Sequence, residues 1–110
     1  MGMMHRFKGV WGQQFVWSGS RVRQYGPGAS AGVTETWLIG KAEGARNFAL
    51  RYYEIEAGGH SRLESHAHDH GLLFLQGSGQ VLLGDARHEI SQGDVVYIPP
   101  HIPHQIINTC

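Results

Sequence analysis

The stretch from Gly58 to Gly77 reads GGHSRLESHAHDHGLLFLQG, and the rest of the chain is best interpreted outward from it. Within this stretch, every second position from 64 to 70 carries a carboxylate or an imidazole: Glu64, His66, His68 and His70. Because alternate side chains of a β-strand point to one face, such a run can direct several ligands toward one point. Imidazole is the commonest metal ligand in proteins. The stretch therefore predicts a mononuclear metal site on a β scaffold.

The composition limits the class of protein. The chain has 110 residues, which predicts one domain. Nine basic residues balance nine acidic ones, so neither nucleic acid nor a membrane is an expected partner. The single cysteine, Cys110, leaves no disulfide within the chain, and the N-terminal residues lack the apolar core of a signal peptide. These features predict a soluble, cytoplasmic protein.

The distribution of glycine and proline predicts an all-β fold. Sixteen glycines and four prolines cut the chain into short segments, and no segment keeps a helical period. We expect Gly58-Gly59 to break the chain, residues 70–76 to form a strand buried on both sides, and Gly84-Asp85 to form a hairpin turn. The other expectations are loops at 26–30 and 40–44, the latter kept exposed by Lys41 and Glu43, and strands at 5–10, 14–17, 34–39, 47–55, 60–66, 80–83, 87–90, 95–98 and 104–107.

A metal site needs ligands from a second segment, because one strand cannot surround an ion. His104 provides such a position near the end of the chain. Pro99, Pro100 and Pro103 stiffen the backbone that presents it, which favours a preorganised ligand.

Two motifs resemble those of the cupin superfamily, specifically small single-domain bacterial proteins of the cupin 2 conserved-barrel type. Five residues fall at the spacings of the first motif: Gly58, Glu64, His66, His70 and Gly77. The second is matched by Gly93, Pro99, His101, His104 and Asn108. The resemblance covers about residues 55–108 and implies an all-β double-stranded β-helix, a jelly-roll-like cupin barrel in a single domain.

The chain departs from the family pattern at three positions. Glu64 replaces the first histidine of the first motif, and His70 replaces its glutamate. His101 replaces a glycine of the second motif, so a non-glycine residue must tolerate a backbone conformation that glycine adopts easily.

The resemblance implies a set of site residues. Glu64, His66, His70 and His104 are the expected metal ligands, with Glu64 as metal ligand or general base. His68 lies where cupins bend and is expected to point aside, although it competes with Glu64 as fourth ligand. The candidate substrate contacts are His68, His101, Tyr52, Tyr97 and Phe74; the last three have core packing as their default role.

Three imidazoles and one carboxylate suit one divalent transition metal: manganese, iron, nickel or copper, and zinc less well. The preferred hypothesis is a metal-dependent enzyme, an isomerase or lyase acting on a small sugar or sugar phosphate through a metal-held enediolate. A metal-dependent dioxygenase and a non-catalytic cupin that binds a small ligand or metal are the alternatives.

The N-terminal part is the least informative. We expect residues 1–47 to form strands and loops that serve in a homodimer or swap into a partner, and residues 48–110 to form the conserved barrel. Cupins usually continue beyond the asparagine of the second motif. Either the N-terminal segment completes the barrel, or the chain has been shortened after Cys110.

Overall fold

A computed structural model describes residues 2–25, 28 and 30–109 of the chain. These residues form eight β-strands and one short 3-10 helix, η1, at Lys41–Glu43. The all-β class is therefore confirmed. The strands are β1 (Arg21–Gln24), β2 (Ala31–Ile39), β3 (Leu50–His60), β4 (His70–Leu73), β5 (Ser78–Leu83), β6 (Ala86–Ser91), β7 (Val95–Ile98) and β8 (His104–Ile107).

The strands form a six-stranded sheet in the order β1-β2-β3-β8-β5-β6 and a two-stranded sheet of β4 and β7. The chain divides into two compact units, the first of Met1–Gln24 and Thr34–Glu54, the second of Tyr25–Val33 and Ile55–Cys110. Strands β2 and β3 each contribute residues to both units. The division into a 1–47 segment and a 48–110 barrel stays a prediction.

The second unit contains the register that positions the metal ligands. Strand β5 pairs antiparallel with β8, so that Leu83 lies opposite His104 and Val81 lies opposite Ile106. Residues directly opposite each other share a face of the sheet. Val81 is completely buried on this face, and Ile98 of β7 is 1% exposed. His104 therefore projects from the same face of the sheet as a core residue.

The first unit begins with an irregular hairpin. Positions 5–10 and 14–17, which were expected as strands, form only isolated bridges, Phe7 with Trp17 and Val10 with Gln14. Phe15 is buried, and its ring packs 5.2 Å from that of Tyr52. Aromatic stacking therefore holds this segment where a regular strand ladder is lacking.

Several strand predictions are confirmed. Strands β7 and β8 have the predicted bounds, and Leu83 pairs with Ala86 across the Gly84-Asp85 turn. Short segments bounded by glycine and proline are the easiest to delimit from sequence.

Two predictions in the central stretch are wrong. Strand β3 does not break at Gly58-Gly59 but continues to His60. Gly58 has a φ of +76°, which glycine adopts without strain, and a Cβ on Gly59 would lie 2.5 Å from the carbonyl oxygen of Ala31. The glycines thus allow a strand to pass close to another backbone, and the strand expected at 60–66 is reduced to a single bridge at Glu64.

The segment 70–76 also differs from the prediction. Strand β4 ends at Leu73, and its residues alternate between half-buried and exposed rather than being buried on both sides. Leu73 is 60% exposed. An apolar run by itself does not distinguish a strand covered on both faces from one covered on one face.

The Glu43 side chain does not keep the turn at 40–44 exposed to solvent, contrary to the prediction. The Glu43 side chain is only 5% exposed and accepts two hydrogen bonds from Arg21, at 3.0 and 3.2 Å. His5 Nε2 lies 3.2 Å from the same carboxylate, and the Gly40 N–H donates to it at 2.8 Å. The hydrogen bonds from Arg21 are the main cause that lowers the pKa of Glu43 to about 2.

The predicted loop at 26–30 lies largely outside the described residues. Within the described part of the chain, no helix has the length and apolar character needed to cross a membrane.

Candidate metal centre

Three histidines of the second unit converge. Each of His66, His70 and His104 offers a ring nitrogen, and these atoms all lie within 4.8 Å of one another. His66 lies in the segment before β4, His70 is the first residue of β4, and His104 is the first residue of β8. His104 is buried and the other two are half-buried. The site is thus assembled from both sheets and remains accessible.

His104 is oriented by its own loop. Its Nδ1 lies 3.0 Å from the carbonyl oxygen of Ile102. A carbonyl oxygen can only accept, so Nδ1 carries the proton and Nε2 keeps its lone pair in the neutral ring. Fixing the tautomer through the second ring nitrogen is the usual way in which a protein prepares a histidine ligand.

Glu64 is tied to His104 through the backbone. The two residues exchange both N–H···O bonds, at 3.1 Å and 2.9 Å, and form an isolated bridge. The Glu64 carboxylate lies 3.5 Å from His66 Nε2 and is 39% exposed. Glu64 is not a member of the three-histidine group. The carboxylate therefore lies beside one ligand, and its role as ligand or base stays a prediction.

His68 does not point away from the group. Its exposed ring stacks on His66, with centroids 4.9 Å apart and an interplanar angle of 14°, and meets His70 edge-on at 4.7 Å. It is thus adjacent to two of the three histidines without belonging to the converging set. The bend at 67–68 brings the His68 ring back toward the group, and the spacing of the histidines alone does not reveal this.

The substitution of glycine by His101 has the predicted backbone consequence. His101 has a φ of +66° and is the one non-glycine residue with a positive φ in the described part of the chain. Its N–H donates to the carbonyl oxygen of His66 at 2.5 Å. This bond joins the loop of the second motif to a ligand of the first.

The three aromatic candidates occupy different surroundings. Phe74 is half-buried, and its backbone pairs with Gly93 and Asp94. Tyr97 was expected to face the interior but is 59% exposed, and its hydroxyl donates to Asp69 at 2.9 Å, a bond that raises the pKa of Tyr97. Tyr97 also lines a cavity of about 370 Å³ among β5, β6 and β7, and none of the three histidines lines it.

Tyr52 belongs to the first unit, where it packs against Phe15 and Trp17. Burial is the main cause that raises the pKa of Tyr52 to about 12, with the nearby Glu54 carboxylate contributing. Its hydroxyl therefore stays protonated at neutral pH. Its predicted contact with a substrate stays a prediction.

The family follows from these motifs and from comparison with known proteins. The family model of the cupin domain, Cupin_2, matches residues 51–110, more than half of the chain. This chain is a cupin. The matched region contains both motifs and all the residues of the three-histidine group.

Relatives of this cupin include a curated enzyme and solved structures. This cupin is 45% identical over 56 residues to 1-methylthio-D-xylulose 5-phosphate methylsulfurylase of Rhodospirillum rubrum. The alignment covers 51% of the cupin and 36% of the relative. A cupin 2 domain structure from Rhodospirillum rubrum is 33% identical, with a TM-score of 0.75, and the match covers 86% of the cupin and 64% of that chain. A cupin 2 conserved barrel domain protein from Rhodopseudomonas palustris is 31% identical, with a TM-score of 0.75. The match covers 96% of the cupin and 71% of that chain. The cupin thus spans about a third of the length of the curated relative.

The donor set fits a divalent transition metal. Metal–nitrogen bonds are about 2.1 Å long, so nitrogens around one ion lie about 3.0 to 4.2 Å apart. The three nitrogens all lie within 4.8 Å of one another, so a small shift of the rings would suffice to bring them around one ion. Three imidazoles leave coordination positions for water or substrate, which distinguishes a reactive site from a closed structural one. The chemistry of the site is compatible with a metal ion of any of the predicted kinds.

The motifs do not reveal a second polar cluster, which lies in the first unit. Glu35 is only 1% exposed, and its carboxylate accepts hydrogen bonds from Trp37 at 2.8 Å, Arg51 at 3.3 Å and Tyr53 at 2.5 Å. The Arg51 guanidinium also lies over the Trp37 ring at 4.9 Å. Glu35 and Trp37 alternate on β2, and Arg51 and Tyr53 alternate on β3, so a period of two is the signal that could have revealed the cluster.

Proposed function

We propose that this cupin binds one divalent transition metal and catalyses an isomerase or lyase reaction on a small sugar phosphate or a similar compound. The observation that carries the proposal is the three-histidine group with the Glu64 carboxylate 3.5 Å from His66. A group that can hold a metal and a group that can accept a proton thus lie side by side.

When bound, the ion would act as a Lewis acid that polarises a substrate carbonyl and stabilises the charge that develops on its oxygen. His66, His70 and His104 would hold it. The hydrogen bond from His104 to Ile102 keeps the imidazole in the tautomer that can bind.

Glu64 is the proposed base. Its carboxylate is partly exposed, so a substrate can reach it. It would take a proton from the carbon next to the carbonyl group, and the electron pair of the broken C–H bond would enter the carbonyl system. Returning the proton to the former carbonyl carbon, while the proton of the adjacent hydroxyl passes to the carbonyl oxygen, completes an isomerisation. Departure of a leaving group with its bonding electrons from the carbon beyond the deprotonated one, followed by protonation of that group, completes an elimination. The backbone bridge to His104 fixes Glu64 relative to a ligand.

The substrate class is supported by the curated relative, which is named for a methylthio ketose phosphate. We therefore propose a ketose phosphate with or without a sulfur substituent as the substrate. A cytoplasmic location and a homodimer stay predictions.

The test is proton exchange in heavy water. Protein loaded with Mn²⁺ is incubated with D-xylulose 5-phosphate or 1-methylthio-D-xylulose 5-phosphate, and loss of C–H signals is followed by NMR. We expect exchange beside the carbonyl group in the wild type and at least about 100-fold slower exchange in Glu64→Gln, because one general base typically contributes that much. His60→Ala, which removes a histidine outside the group, is the matched control.

Two results would contradict the proposal. Exchange that persists in Glu64→Gln would exclude Glu64 as the base. Wild-type protein that binds Mn²⁺ but exchanges neither compound would exclude this class of reaction and favour a binding protein.

A further inference from the structure

His101 combines a costly backbone conformation with a side chain that the fold does not use. Its φ of +66° lies in the left-handed region, which glycine adopts freely and other residues adopt at a cost. Strained non-glycine residues cluster at functional sites, so His101 is a candidate for a functional role.

The backbone conformation itself has a structural explanation. It allows the His101 N–H to donate to the His66 carbonyl oxygen at 2.5 Å, while the Ile102 N–H donates back to Pro99 at 3.4 Å. A glycine at position 101 would make the same bond without strain. The backbone bond therefore explains the φ angle but not the presence of an imidazole.

The imidazole has no internal role. It is exposed, and no described residue makes a hydrogen bond, ion pair or ring contact with it. His68 differs, because its ring stacks on His66. Because the His101 N–H donates to the carbonyl oxygen of His66, His101 lies next to a member of the three-histidine group.

We propose that the His101 imidazole contacts a polar oxygen, phosphoryl or hydroxyl, of the substrate held at the three-histidine group, and so determines specificity. The inference rests on the proposed function and assigns the substrate a polar group on the side of the Pro99–Pro103 loop. A neutral imidazole can donate and accept, and a protonated one donates twice, so either form recognises such an oxygen.

The experiment compares wild type, His101→Gly and His101→Ala, each loaded with Mn²⁺, with His101→Asn as a variant that tolerates the left-handed conformation. D-Xylulose 5-phosphate is the probe, its affinity is measured by calorimetry, and thermal unfolding is recorded in parallel. We expect His101→Gly to raise the Tm by about 4 °C or more, because strain is relieved. We expect the same variant to raise the Kd for the probe by about tenfold, the usual effect of losing one hydrogen bond to a charged group.

His101→Ala should weaken probe binding as much as His101→Gly without the gain in Tm, because alanine keeps the strain. His101→Asn, which retains a polar side chain, should bind the probe more tightly than either. Mn²⁺ affinity should stay unchanged in all three variants.

Unchanged probe affinity in both His101→Gly and His101→Ala would overturn the role of His101 while leaving the proposed function in place. Wild-type protein that takes up Mn²⁺ but does not bind the probe would overturn the substrate class, and the role of His101 with it.

Discussion

Two carboxylates, Glu35 and Glu64, stand in opposite surroundings. Glu35 is 1% exposed and accepts hydrogen bonds from an indole, a guanidinium and a phenol. Glu64 is 39% exposed and has a histidine nitrogen 3.5 Å away. The hydrogen-bonding capacity of Glu35 is largely used within the protein, whereas that of Glu64 remains open to a ligand.

The difference separates stability from chemistry. A buried carboxylate with several donors is costly to alter, because each donor loses a charged acceptor that water cannot replace. A partly exposed carboxylate beside three convergent histidines loses few contacts when it is altered, and it remains open to a ligand. The same residue type thus serves as a structural anchor in the first unit and as a candidate reactive group in the second.

The largest expected effect is on metal content. In the double variant His66→Ala/His104→Ala, two of three ligands are lost, and we expect metal uptake to fall below detection by elemental analysis, a loss of at least about 1,000-fold in affinity. The protein should be purified without a metal-affinity column. Full metal content in the double variant would show that the second unit is no metal site. Glu64 would then differ from Glu35 in exposure but not in a chemical role.

The next effect is on stability at Glu35. Glu35→Gln should lower the free energy of unfolding by about 3 kcal/mol, because Arg51 and Tyr53 lose a charged acceptor in a buried position. Urea denaturation of the metal-free protein measures it, with Glu89→Gln, an exposed carboxylate on β6, as the matched control. A change as small as that of the control would mean that burial of Glu35 does not anchor the first unit.

Glu64→Gln should show the opposite profile. We expect the free energy of unfolding to change by less than about 0.5 kcal/mol, as is usual for exposed positions. Metal affinity should fall by no more than about tenfold if Glu64 is a base rather than a ligand. Elemental analysis and urea denaturation on the same preparation distinguish the cases, and complete loss of metal would identify Glu64 as a ligand.

The last effect is a pH dependence and concerns Glu43, whose pKa is lowered to about 2 mainly by hydrogen bonds from Arg21. A lowered folded-state pKa contributes stability above the ordinary pKa of about 4.5, and this contribution is lost as the pH falls toward 2. The difference in stability between wild type and Glu43→Gln should therefore be constant above about pH 5 and shrink progressively below it. Acid titration of both proteins by circular dichroism, in chelator, measures it. A difference that does not change with pH would show that the ion pair with Arg21 is not formed in solution.

Much of the fold was predictable, because turns and motifs are local. The bounds of β7 and β8 and the Gly84-Asp85 turn depend on nearby glycine and proline. The continuation of β3 through Gly58-Gly59 was not, because it depends on the close approach of Ala31, a residue distant in sequence. A glycine pair has the same local appearance at a chain break and at a close backbone contact.

The site was predictable where spacing decides it. The convergence of His66, His70 and His104 agrees with the spacing of the two motifs, and the strained φ of His101 agrees with its replacement of a glycine. The return of His68 to the group and the burial of Glu43 were missed, since both depend on side-chain packing around a bend or a turn. Alternation along a strand gives the face of a residue but not the path of the chain beyond the strand end.

The bridge between Glu64 and His104 has a consequence for the order of folding. Its two hydrogen bonds join segments far apart in sequence, so the loop between them must close before the candidate base meets the buried histidine. Contacts of this kind slow the search for the native state, and we expect this one to form late because the entropy of closing its loop is paid first. Groups that meet late are absent from the transition state, so strengthening their association should retard unfolding far more than it accelerates refolding. For this cupin, a metal ion bound at the histidine group would therefore mainly lower the rate of unfolding.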